Sequence, residues 1–504
     1  MFDLIILGGG PAGVTAALRA RELGAKVALV ERGQLGGTCT NDGCAPTRVL
    51  AKTARLLRDA KKFDEYGLEG ERPRLNWERL LARTHYVVNA LHEKKQLIGH
   101  LQASGVETFV NVGDARFVDA HTLAIRPSPL TPLPTGEGNL RAEKFILCAG
   151  GHARRLDFPG AELALTHSDV WTLKALPQRV AIVGGAATGC QLASVLNEFG
   201  AEVTLLDVAP RILPTEDIET SSVMRQAFEA RGIRIETGIG GIKEIREARD
   251  EKRETRSEGR EARGEKELIY TRDAREISLD VDAVIVAVGW IGNIETLNLD
   301  AAGVKTERGY VVVNDALQTT APNIFAAGDI TGRMMLVQGA MTEALIAAEN
   351  AVRNTSNESH HVIVPHGGFT DPEYGSVGLT EQQAREKLDC VVATVLYSEI
   401  DRAVIDDEPE GFCKLIVARA TQEILGAHVV GEQALEVIQV VAAAMQANAR
   451  VNDLARLEIA YPTYCAVVGL VARRIVREMG MMRTGAEWKE LGQMRGAEWE
   501  SKEE

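Results

Sequence analysis

Two stretches of the chain share one pattern of apolar and polar positions. ILGGGPAG at residues 6–13 and IVGGAATG at 182–189 each end an apolar run and open an alanine-rich segment. A second apolar run follows in both places and ends in an acidic residue. Short apolar runs bounded by glycine predict buried strands, and the alanine-rich segments predict helices. The pattern therefore predicts two β–α–β units.

The two units superpose at an offset of 176 residues. Gly8 and Gly13 of the first copy match Gly184 and Gly189 of the second. In a dinucleotide-binding turn the first glycine makes a tight bend, the second lets the backbone approach pyrophosphate, and the third allows close packing of helix on strand. The middle position is Gly10 in the first copy and alanine in the second.

The acidic ends of the two units are Glu31 and Asp207, each 23 residues after its first glycine. An acid at this place accepts hydrogen bonds from a ribose diol, and the helix N-terminus faces the phosphates. Equal spacing in two copies predicts that two nucleotides bind. The fold class expected is α/β, with two Rossmann-like dinucleotide-binding domains.

Three segments depart from this pattern. Residues 127–141 are rich in Pro, Gly and Thr and predict an excursion between short strands. Residues 244–276 are densely charged with both signs, which suits either a solvated helix with i,i+4 pairs or a disordered hairpin tip. The tail 481–504 repeats GAEW and suits a short amphipathic helix.

Charge and composition exclude several classes of function. Acidic residues outnumber basic ones, 71 to 57, so the 504 residues carry a net charge of −14. That charge argues against nucleic acid or an anionic membrane as the main partner. No apolar stretch resembles a membrane span of ~18 residues, no basic leader opens the chain, and the odd number of cysteines suits no secreted disulfide scaffold. A cytoplasmic enzyme is expected.

Cys39 and Cys44 are the two cysteines close together in the sequence. On an ideal helix their Cα atoms would lie roughly 8–9 Å apart, whereas a disulfide needs less than ~7 Å. A bonded pair therefore requires a distorted segment, which Gly43 and Pro46 permit. A helix N-terminus would favour thiolate chemistry. Two buried, reduced cysteines remain the alternative.

The chain resembles the FAD-dependent pyridine nucleotide–disulfide oxidoreductases, the group that contains dihydrolipoamide dehydrogenase, glutathione reductase and mercuric reductase. The matching stretches, in the family's order, include ILGGGPAG, GGTCTNDGCAPTR, GDARF, VAVGW, TTAPNIFAAGD and FTDPEYGSVGLTE. The resemblance implies a C-terminal α+β dimerisation domain and a homodimer. The domains expected are an FAD-binding domain at 1–150 and 285–352, an NAD(P)-binding domain at 151–284 with the charged insert 244–276, a dimer-interface domain at 353–480 and a tail at 481–504.

The resemblance also implies roles for residues. FAD would be held around Gly8, Gly10, Gly13, Glu31, Gly37, Thr38, Arg48, Ala115 and Asp329, and the nicotinamide cofactor around Gly184, Gly189, Gln191, Asp207 and Gly289. Electrons would pass from the nicotinamide through the flavin to a Cys39–Cys44 disulfide, with Cys44 as the flavin-side thiolate and Cys39 as the exchanging thiol. The Asp207 carboxylate favours NADH over NADPH because it repels a 2′-phosphate, although Arg211 lies close in sequence.

Several positions depart from the family's pattern. Tyr461 stands where thiol-reducing members have a histidine base, and Ala466 stands where they have its glutamate. A phenol with a pKa near ~10 and no carboxylate partner is a poor base. Arg48 replaces a lysine, and Gln191 replaces its usual glutamate, so a more electropositive flavin region is expected. Cys465 follows Tyr461 and suits either a redox role or a buried interface thiol.

These departures lead to three hypotheses. The first is an NADH-dependent enzyme that reduces an acceptor needing no histidine base, such as a metal ion, a quinone-like oxidant or a protein disulfide, as in mercuric reductases. The second is a dihydrolipoamide dehydrogenase with an altered proton path. The third is a flavin-binding redox sensor or interaction protein. Tyr461 is the third catalytic candidate beside the two cysteines, and no metal site within the protein is predicted.

Overall fold

The structure is a computed structural model that describes residues 1–125, 138–247 and 265–481. Its first elements are β1 (Phe2–Leu7), α1 (Pro11–Glu22), β2 (Val27–Glu31), α2 (Gly37–Asn41), α3 (Cys44–Ala60), α4 (Trp77–Lys95), α5 (Leu97–Ala103), β3 (Glu107–Val110), β4 (Arg116–Asp119), β5 (Thr122–Ala124), β6 (Asn139–Leu147), β7 (Gly151–Ala153), β8 (Arg179–Val183), α6 (Ala187–Glu198) and β9 (Glu202–Asp207).

The middle of the chain follows with α7 (Ile218–Ala230), β10 (Arg234–Thr237), β11 (Gly241–Glu247), β12 (Lys266–Arg272), β13 (Arg275–Val281), β14 (Ala283–Val286), β15 (Trp290–Gly292), β16 (Thr306–Glu307), β17 (Tyr310–Val311), β18 (Ile324–Ala326) and α8 (Val337–Arg353). The last elements are β19 (His366–Gly368), β20 (Tyr374–Gly378), α9 (Glu381–Lys387), β21 (Cys390–Leu396), α10 (Asp401–Ile405), β22 (Phe412–Ala418), β23 (Ile424–Val430), α11 (Ala434–Gln446), α12 (Val451–Arg456) and α13 (Ala466–Glu478).

The first of two compact units comprises Met1–Val208 and Gly238–His361. Its largest sheet has the strand order β3-β2-β1-β6-β5-β4, and β18 also pairs with β6. The pairs among β3, β2, β1, β6 and β18 are parallel. Ile5 and Ile6 of β1 are both fully buried and belong to different core clusters, so this strand is covered on both faces. The first predicted β–α–β unit is therefore present as β1, α1 and β2.

The second predicted unit consists of β8, α6 and β9 in the same compact unit. β8 lies between β9 and β14, and both pairs are parallel. The α/β class predicted from the repeat is thus confirmed.

The charged stretch 244–276 contains strands of the fold. β11, β12 and β13 form an antiparallel sheet, and Leu268 and Tyr270 of β12 lie in a hydrophobic core. The solvated-helix alternative is therefore wrong for the described ends of this stretch, and its boundaries as an insert are too wide. β12 was overlooked because its buried residues, Leu268, Ile269 and Tyr270, form a run of only three apolar positions within a densely charged stretch. The intervening part of the stretch, most of the excursion at 127–141 and nearly all of the tail lie outside the described residues.

The second compact unit comprises Ala209–Thr237 and the chain from Val362 onward. Its sheet has the order β19-β20-β23-β22-β21 with antiparallel pairs throughout. α11 packs on β20 and β23, and α13 packs on β21 and β22. Val377, Val429, Val441 and Val468 belong to the core between these layers. The predicted α+β character of the C-terminal region is confirmed, while the finer domain bounds stay a prediction.

In the part of the chain that the structure describes, no helix combines the length and the apolar character needed to cross a membrane.

Candidate functional site

The first glycine turn has the geometry of a phosphate site. Gly8 adopts φ +106°, and a Cβ atom on Gly13 would lie 1.7 Å from the Gly8 carbonyl oxygen. Both positions therefore exclude a side chain, as the spacing predicted. α1 begins after Gly10 without a side-chain cap, so its first N–H groups are directed toward the space beyond the turn. Such unpaired donors attract an anion.

Glu31 closes the turn from the end of β2. Its carboxylate accepts hydrogen bonds from the backbone N–H groups of Gly9, at 2.6 Å, and Gly33, at 2.8 Å. The backbone N–H groups of Val112 and Gly113 donate to the carbonyls of residues 31 and 32, which brings the loop with the buried Ala115 to the same edge. The structure thus places Ala115 in a loop beside Glu31.

Asp329 reaches the first turn from far along the chain. A Cβ atom on its neighbour Gly328 would lie 3.5 Å from the Cβ of Ala12 in α1. Burial raises the pKa of Asp329 to about 6, with a further contribution from the charge of Glu343. A carboxyl group in such a place suits hydrogen bonding to a polyol or phosphate chain.

The second turn repeats the geometry of the first. A Cβ atom on Gly189 would lie 1.8 Å from the Gly184 carbonyl oxygen, and Asp207 accepts a 2.5 Å hydrogen bond from the N–H of Gly185. α6 also begins without a side-chain cap. Gly289 has φ +102° with open space where a side chain would be. A bound group can therefore approach the backbone here closely.

Cys39 and Cys44 lie on either side of a helix break. α2 ends at Asn41, and α3 begins at Cys44 with Gly43 as its N-cap. The N–H groups of Asp42 and Gly43 both donate to the carbonyl of Thr38, which folds the chain back on itself. The distortion that a bonded pair would require is thus present, although both cysteines are free thiols. Gly37 touches the first turn, because a Cβ atom on it would lie 2.8 Å from the Cα of Gly10.

Cys39 and Cys44 are free thiols that share a hydrogen bond. That bond lowers the pKa of Cys39 to about 7, burial opposes the shift, and the charge of Lys95 supports it. The same bond raises the pKa of Cys44, and burial raises it further. The two thiols titrate as a coupled pair, in which the hydrogen bond with Cys44 favours the thiolate of Cys39. This order differs from the flavin-side thiolate at Cys44 that the resemblance implies, and the Cys44 role stays a prediction.

Asp42, between the two cysteines, is a site residue that the sequence did not single out. Its carboxylate accepts hydrogen bonds from Ser168 Oγ at 2.5 Å and Trp171 Nε1 at 2.9 Å, and His167 Nε2 lies 3.4 Å away. Burial would raise the pKa of Asp42, but hydrogen bonds from His167 and Ser168 lower it overall. Asp42 thus connects the segment between α2 and α3 to residues 167–171. No local signal pairs these positions, which are more than 120 residues apart.

Arg48 and Gln191 lie on neighbouring helices. α3 carries Arg48 and packs against α6, which carries Gln191. Gln191 donates through Nε2 to the carbonyl of Ala187 at 3.1 Å.

Tyr461 belongs to the second compact unit and is 76% exposed. Its hydroxyl donates to Asp401 Oδ2 at 2.6 Å. The expectation that Tyr461 lacks a carboxylate partner is therefore wrong, because the partner comes from α10 and not from position 466. This hydrogen bond raises the pKa of Tyr461, so the phenol stays protonated at neutral pH. Cys465 packs at the edge of the core of this unit, and burial raises its pKa.

The residues around the first turn fit a dinucleotide. Uncapped helix donors face the phosphate position, and an acid lies at the end of β2. Gly13 lets α1 pack closely on the turn after β1, and Gly37 lets α2 approach Gly10. No group of three or more His, Cys, Asp or Glu residues suited to a metal ion occurs among the described residues.

The sequence also matches known families. The pyridine nucleotide-disulphide oxidoreductases match residues 2–344, and the dimerisation domain of the same family matches residues 364–471. The chain belongs to the pyridine nucleotide-disulphide oxidoreductase family. The family binds FAD and depends on pyridine nucleotides, and its members are flavoprotein disulfide oxidoreductases, so the protein is an enzyme of this class.

Similar family members carry different names. A dihydrolipoyl dehydrogenase of Bacillus subtilis is 31% identical and aligns over 94% of this chain and 97% of its own. A mercuric reductase of Staphylococcus aureus is 32% identical over 90% of this chain and 78% of its own. Among solved structures, a Cu(II) complex of the HOCl-induced flavoprotein disulfide reductase RclA from Escherichia coli matches with a TM-score of 0.79 and 26% identity, over 94% of this chain and 99% of that one.

Proposed function

We propose that this family member passes electrons from NADH to Cys39 and Cys44 and from them to an acceptor that needs no histidine base. Soft metal ions are the first class of acceptor, and quinone-like oxidants or a protein disulfide are the others. One observation carries the proposal: the side chain at the position of the family's base is the phenol of Tyr461, whose hydroxyl donates to Asp401. A neutral phenol can donate a hydrogen bond but is a weak proton acceptor.

The chain's own residues divide the work. The first glycine turn and Glu31 would bind the adenosine half of FAD, with Asp329 near its middle. When bound, FAD supplies the two-electron chemistry that connects NADH to the cysteines. Cys39 and Cys44, once reduced, offer two soft sulfur ligands, and thiolates prefer soft metal ions. Reduction of a metal ion at these sulfurs needs no protonated leaving thiol, which removes the need for the absent histidine.

Asp207 supports NADH as the electron donor. Its carboxylate is held by the N–H of Gly185, in the place where a ribose diol is bound in this fold. Arg211, the nearby candidate for a 2′-phosphate, donates to three backbone carbonyls of its own loop, those of Leu213, Pro214 and Glu216. Its guanidinium therefore has partners that a phosphate would have to displace.

The proposal includes a homodimer, since the dimerisation domain of the family matches residues 364–471. Sedimentation of the purified protein at several concentrations measures its oligomeric state and tests this. A cytoplasmic location stays a prediction from the sequence.

Dihydrolipoamide dehydrogenase is the second candidate, because a relative of that name aligns over nearly the whole chain. The two candidates differ in their demand for a base. A turnover of NAD with dihydrolipoamide of about one per second or slower would argue against this candidate, since typical enzymes reach ~10 per second. Parallel assays with Hg(II), Cu(II), quinones and glutathione disulfide, each with NADH and NADPH, compare the acceptor classes directly.

The electron path is tested by anaerobic titration of the FAD-loaded protein with NADH. A thiolate beside the flavin gives a long-wavelength absorption band, which we expect in the wild type and expect to lose in Cys44→Ser. Cys413→Ser is the matched control, because Cys413 is fully buried in the core of the other compact unit. A wild type without the band would overturn the disulfide route.

A further inference from the structure

Side chains of the C-terminal turn of α4 form hydrogen bonds with α2, the helix that carries Cys39. Lys95 Nζ donates to Thr40 Oγ1 at 2.8 Å, and His92 Nε2 is hydrogen bonded to Asn41 Oδ1 at 2.7 Å. Thr40 and Asn41 are the two residues that follow Cys39 in α2. Thr40 is buried, with 1% of its surface exposed, so it offers Lys95 a fixed anchor. α4 then ends at Gln96, which adopts φ +43°.

The charge of Lys95 acts on the exchanging thiol. The groups that act on the Cys39 thiol are Cys44 of α3, Lys95 of α4 and Asp329 after β18. His92 of α4 is hydrogen bonded to Asn41, two residues after Cys39. Lys95 favours the thiolate of Cys39, whereas Asp329 opposes it. His92 is held toward its neutral form by burial and by the charge of Lys95, which lower its pKa. Lys95 is therefore the cation of α4 that stabilises negative charge on this sulfur.

We propose that Lys95 is a positioning residue that stabilises the Cys39 thiolate through its charge, with Thr40 holding the ammonium group in place. The inference rests on the proposed function and deepens it: an electron acceptor that meets Cys39 meets a thiolate prepared within the same chain. The histidine base of thiol-reducing relatives, which Tyr461 replaces, is then not required to generate it.

Lys95 acts on Cys39 through its charge and not through its shape. An ammonium group near a sulfur lowers the free energy of the thiolate and leaves the neutral thiol almost unaffected. The thiolate is the nucleophile and the metal ligand, so the reactivity of Cys39 below its pKa scales with the thiolate fraction. Lys95 is exposed, so salt should screen its effect. Loss of the charge must therefore change reactivity in a way that depends on pH and on salt.

The experiment measures alkylation of Cys39 in the FAD-loaded protein after anaerobic reduction with dithiothreitol and desalting. Iodoacetamide is added between pH 5.5 and 9, and modified Cys39 is quantified by peptide mass spectrometry. In Lys95→Met we expect alkylation about three- to tenfold slower than in the wild type at pH 6.5, with the rates converging at pH 9. Lys95→Arg keeps the charge and should stay within about twofold of the wild type.

Lys94→Met is the matched control, because it removes the neighbouring exposed charge of the same helix turn. We expect its profile to match the wild type, and we expect 1 M NaCl to shrink the difference between Lys95→Met and the wild type. Lys95→Gln serves as a second variant, and FAD content and melting temperature are recorded for all of them. The proposal is overturned if the wild-type and Lys95→Met profiles coincide, if Lys94→Met shifts equally, or if alkylation slows by the same factor at every pH.

The alkylation assay needs neither NADH nor an acceptor. A pH shift in Lys95→Met together with absent turnover would therefore reject the proposed function and keep the role of Lys95. If the wild type reduced metal ions but the alkylation profile of Lys95→Met matched the wild type, the proposed function would be kept and the role of Lys95 would be rejected.

Discussion

Among the glycines of the described residues, Gly13 is the one at which an added Cβ atom would come closest to another atom. Its Cβ would lie 1.7 Å from a backbone oxygen of Gly8, which no side-chain movement can relieve. Gly10 differs, because a Cβ there would meet the Cα of Gly37 at 3.5 Å, an ordinary contact. The second turn has Ala186 at the corresponding place. Packing therefore requires glycine at position 13 but not at position 10, and the role of Gly10 toward a bound nucleotide stays a prediction.

We expect Gly13→Ala to force α1 away from β1 and to lower the free energy of unfolding by about 1–3 kcal/mol, with loss of bound FAD. Gly10→Ala should keep the stability of the FAD-free chain but weaken FAD binding, since its methyl group would face the phosphates. Thermal unfolding with and without FAD, and the flavin content of the purified variants, separate the two effects. Wild-type stability and flavin content in Gly13→Ala would contradict this assignment.

Individual residues were predictable where spacing carried the information. Gly8, Gly13 and Glu31 follow from a motif whose members are close in sequence, so their geometry agrees with expectation. Asp42, Lys95 and Asp401 were not predictable, because their partners Trp171, Thr40 and Tyr461 come from other elements. A single sequence holds no signal for such pairs.

The helices and strands also divide into features that the sequence predicts and features that it does not. A break near Cys39 and Cys44 was predicted only for a bonded pair, because two cysteines five positions apart cannot bond across a regular helix. The break between α2 and α3 is present while both cysteines are free thiols. β12 was not predicted, because its buried apolar run, Leu268–Tyr270, is only three residues long and lies in a densely charged stretch. The ion pairs of a buried lysine in the second compact unit were not predictable either, because the sequence does not distinguish a buried lysine from an exposed one.

Lys414 of β22 is such a lysine. It is buried, and its Nζ contacts Asp217 at 2.9 Å, Glu219 at 2.8 Å and Glu381 at 2.9 Å. Burial alone would lower the pKa of Lys414, but the three carboxylates raise it overall. Asp217 has a lowered pKa despite its own burial, because Lys414 and the N–H of Glu381 donate to it. The cluster joins β22 to the first turns of α7 and α9.

We expect Lys414→Met to lower the free energy of unfolding by about 3–5 kcal/mol at pH 7, because the variant leaves the buried Asp217 carboxylate without its cation. The lowered pKa of Asp217 contributes stability that is present above its unfolded value of about 3.9 and is lost as the pH falls below it, so the destabilisation should shrink toward pH 3. Urea unfolding at several pH values measures this.

Arg419→Met is the matched control for Lys414→Met, because its ion pair with Asp389 is exposed and worth at most about 1 kcal/mol. Equal effects of the two variants would contradict the assignment of Lys414.

Across the full chain, the repeat and the family resemblance define more of the architecture than composition does. The repeat predicted two parallel-sheet units, and both are present. The C-terminal sheet carries no repeat, so its α+β character rested on the resemblance alone. A further consequence of that resemblance concerns subunits: Tyr461 would serve the cysteine pair of the other subunit in a homodimer.

Hybrid dimers test that consequence. A hybrid of one Cys44→Ser subunit and one Tyr461→Ala subunit, co-expressed with two tags and purified through both, would contain one complete site, formed by the intact cysteines of one subunit and the intact Tyr461 of its partner. Each parent homodimer should be slow in NADH-dependent reduction of the acceptor found in the screen. The hybrid should recover about half of the wild-type rate per dimer, since one of two symmetric sites is whole. If Tyr461 served the cysteines of its own subunit, both sites of the hybrid would be defective, and its rate would not exceed the mean of the two parents.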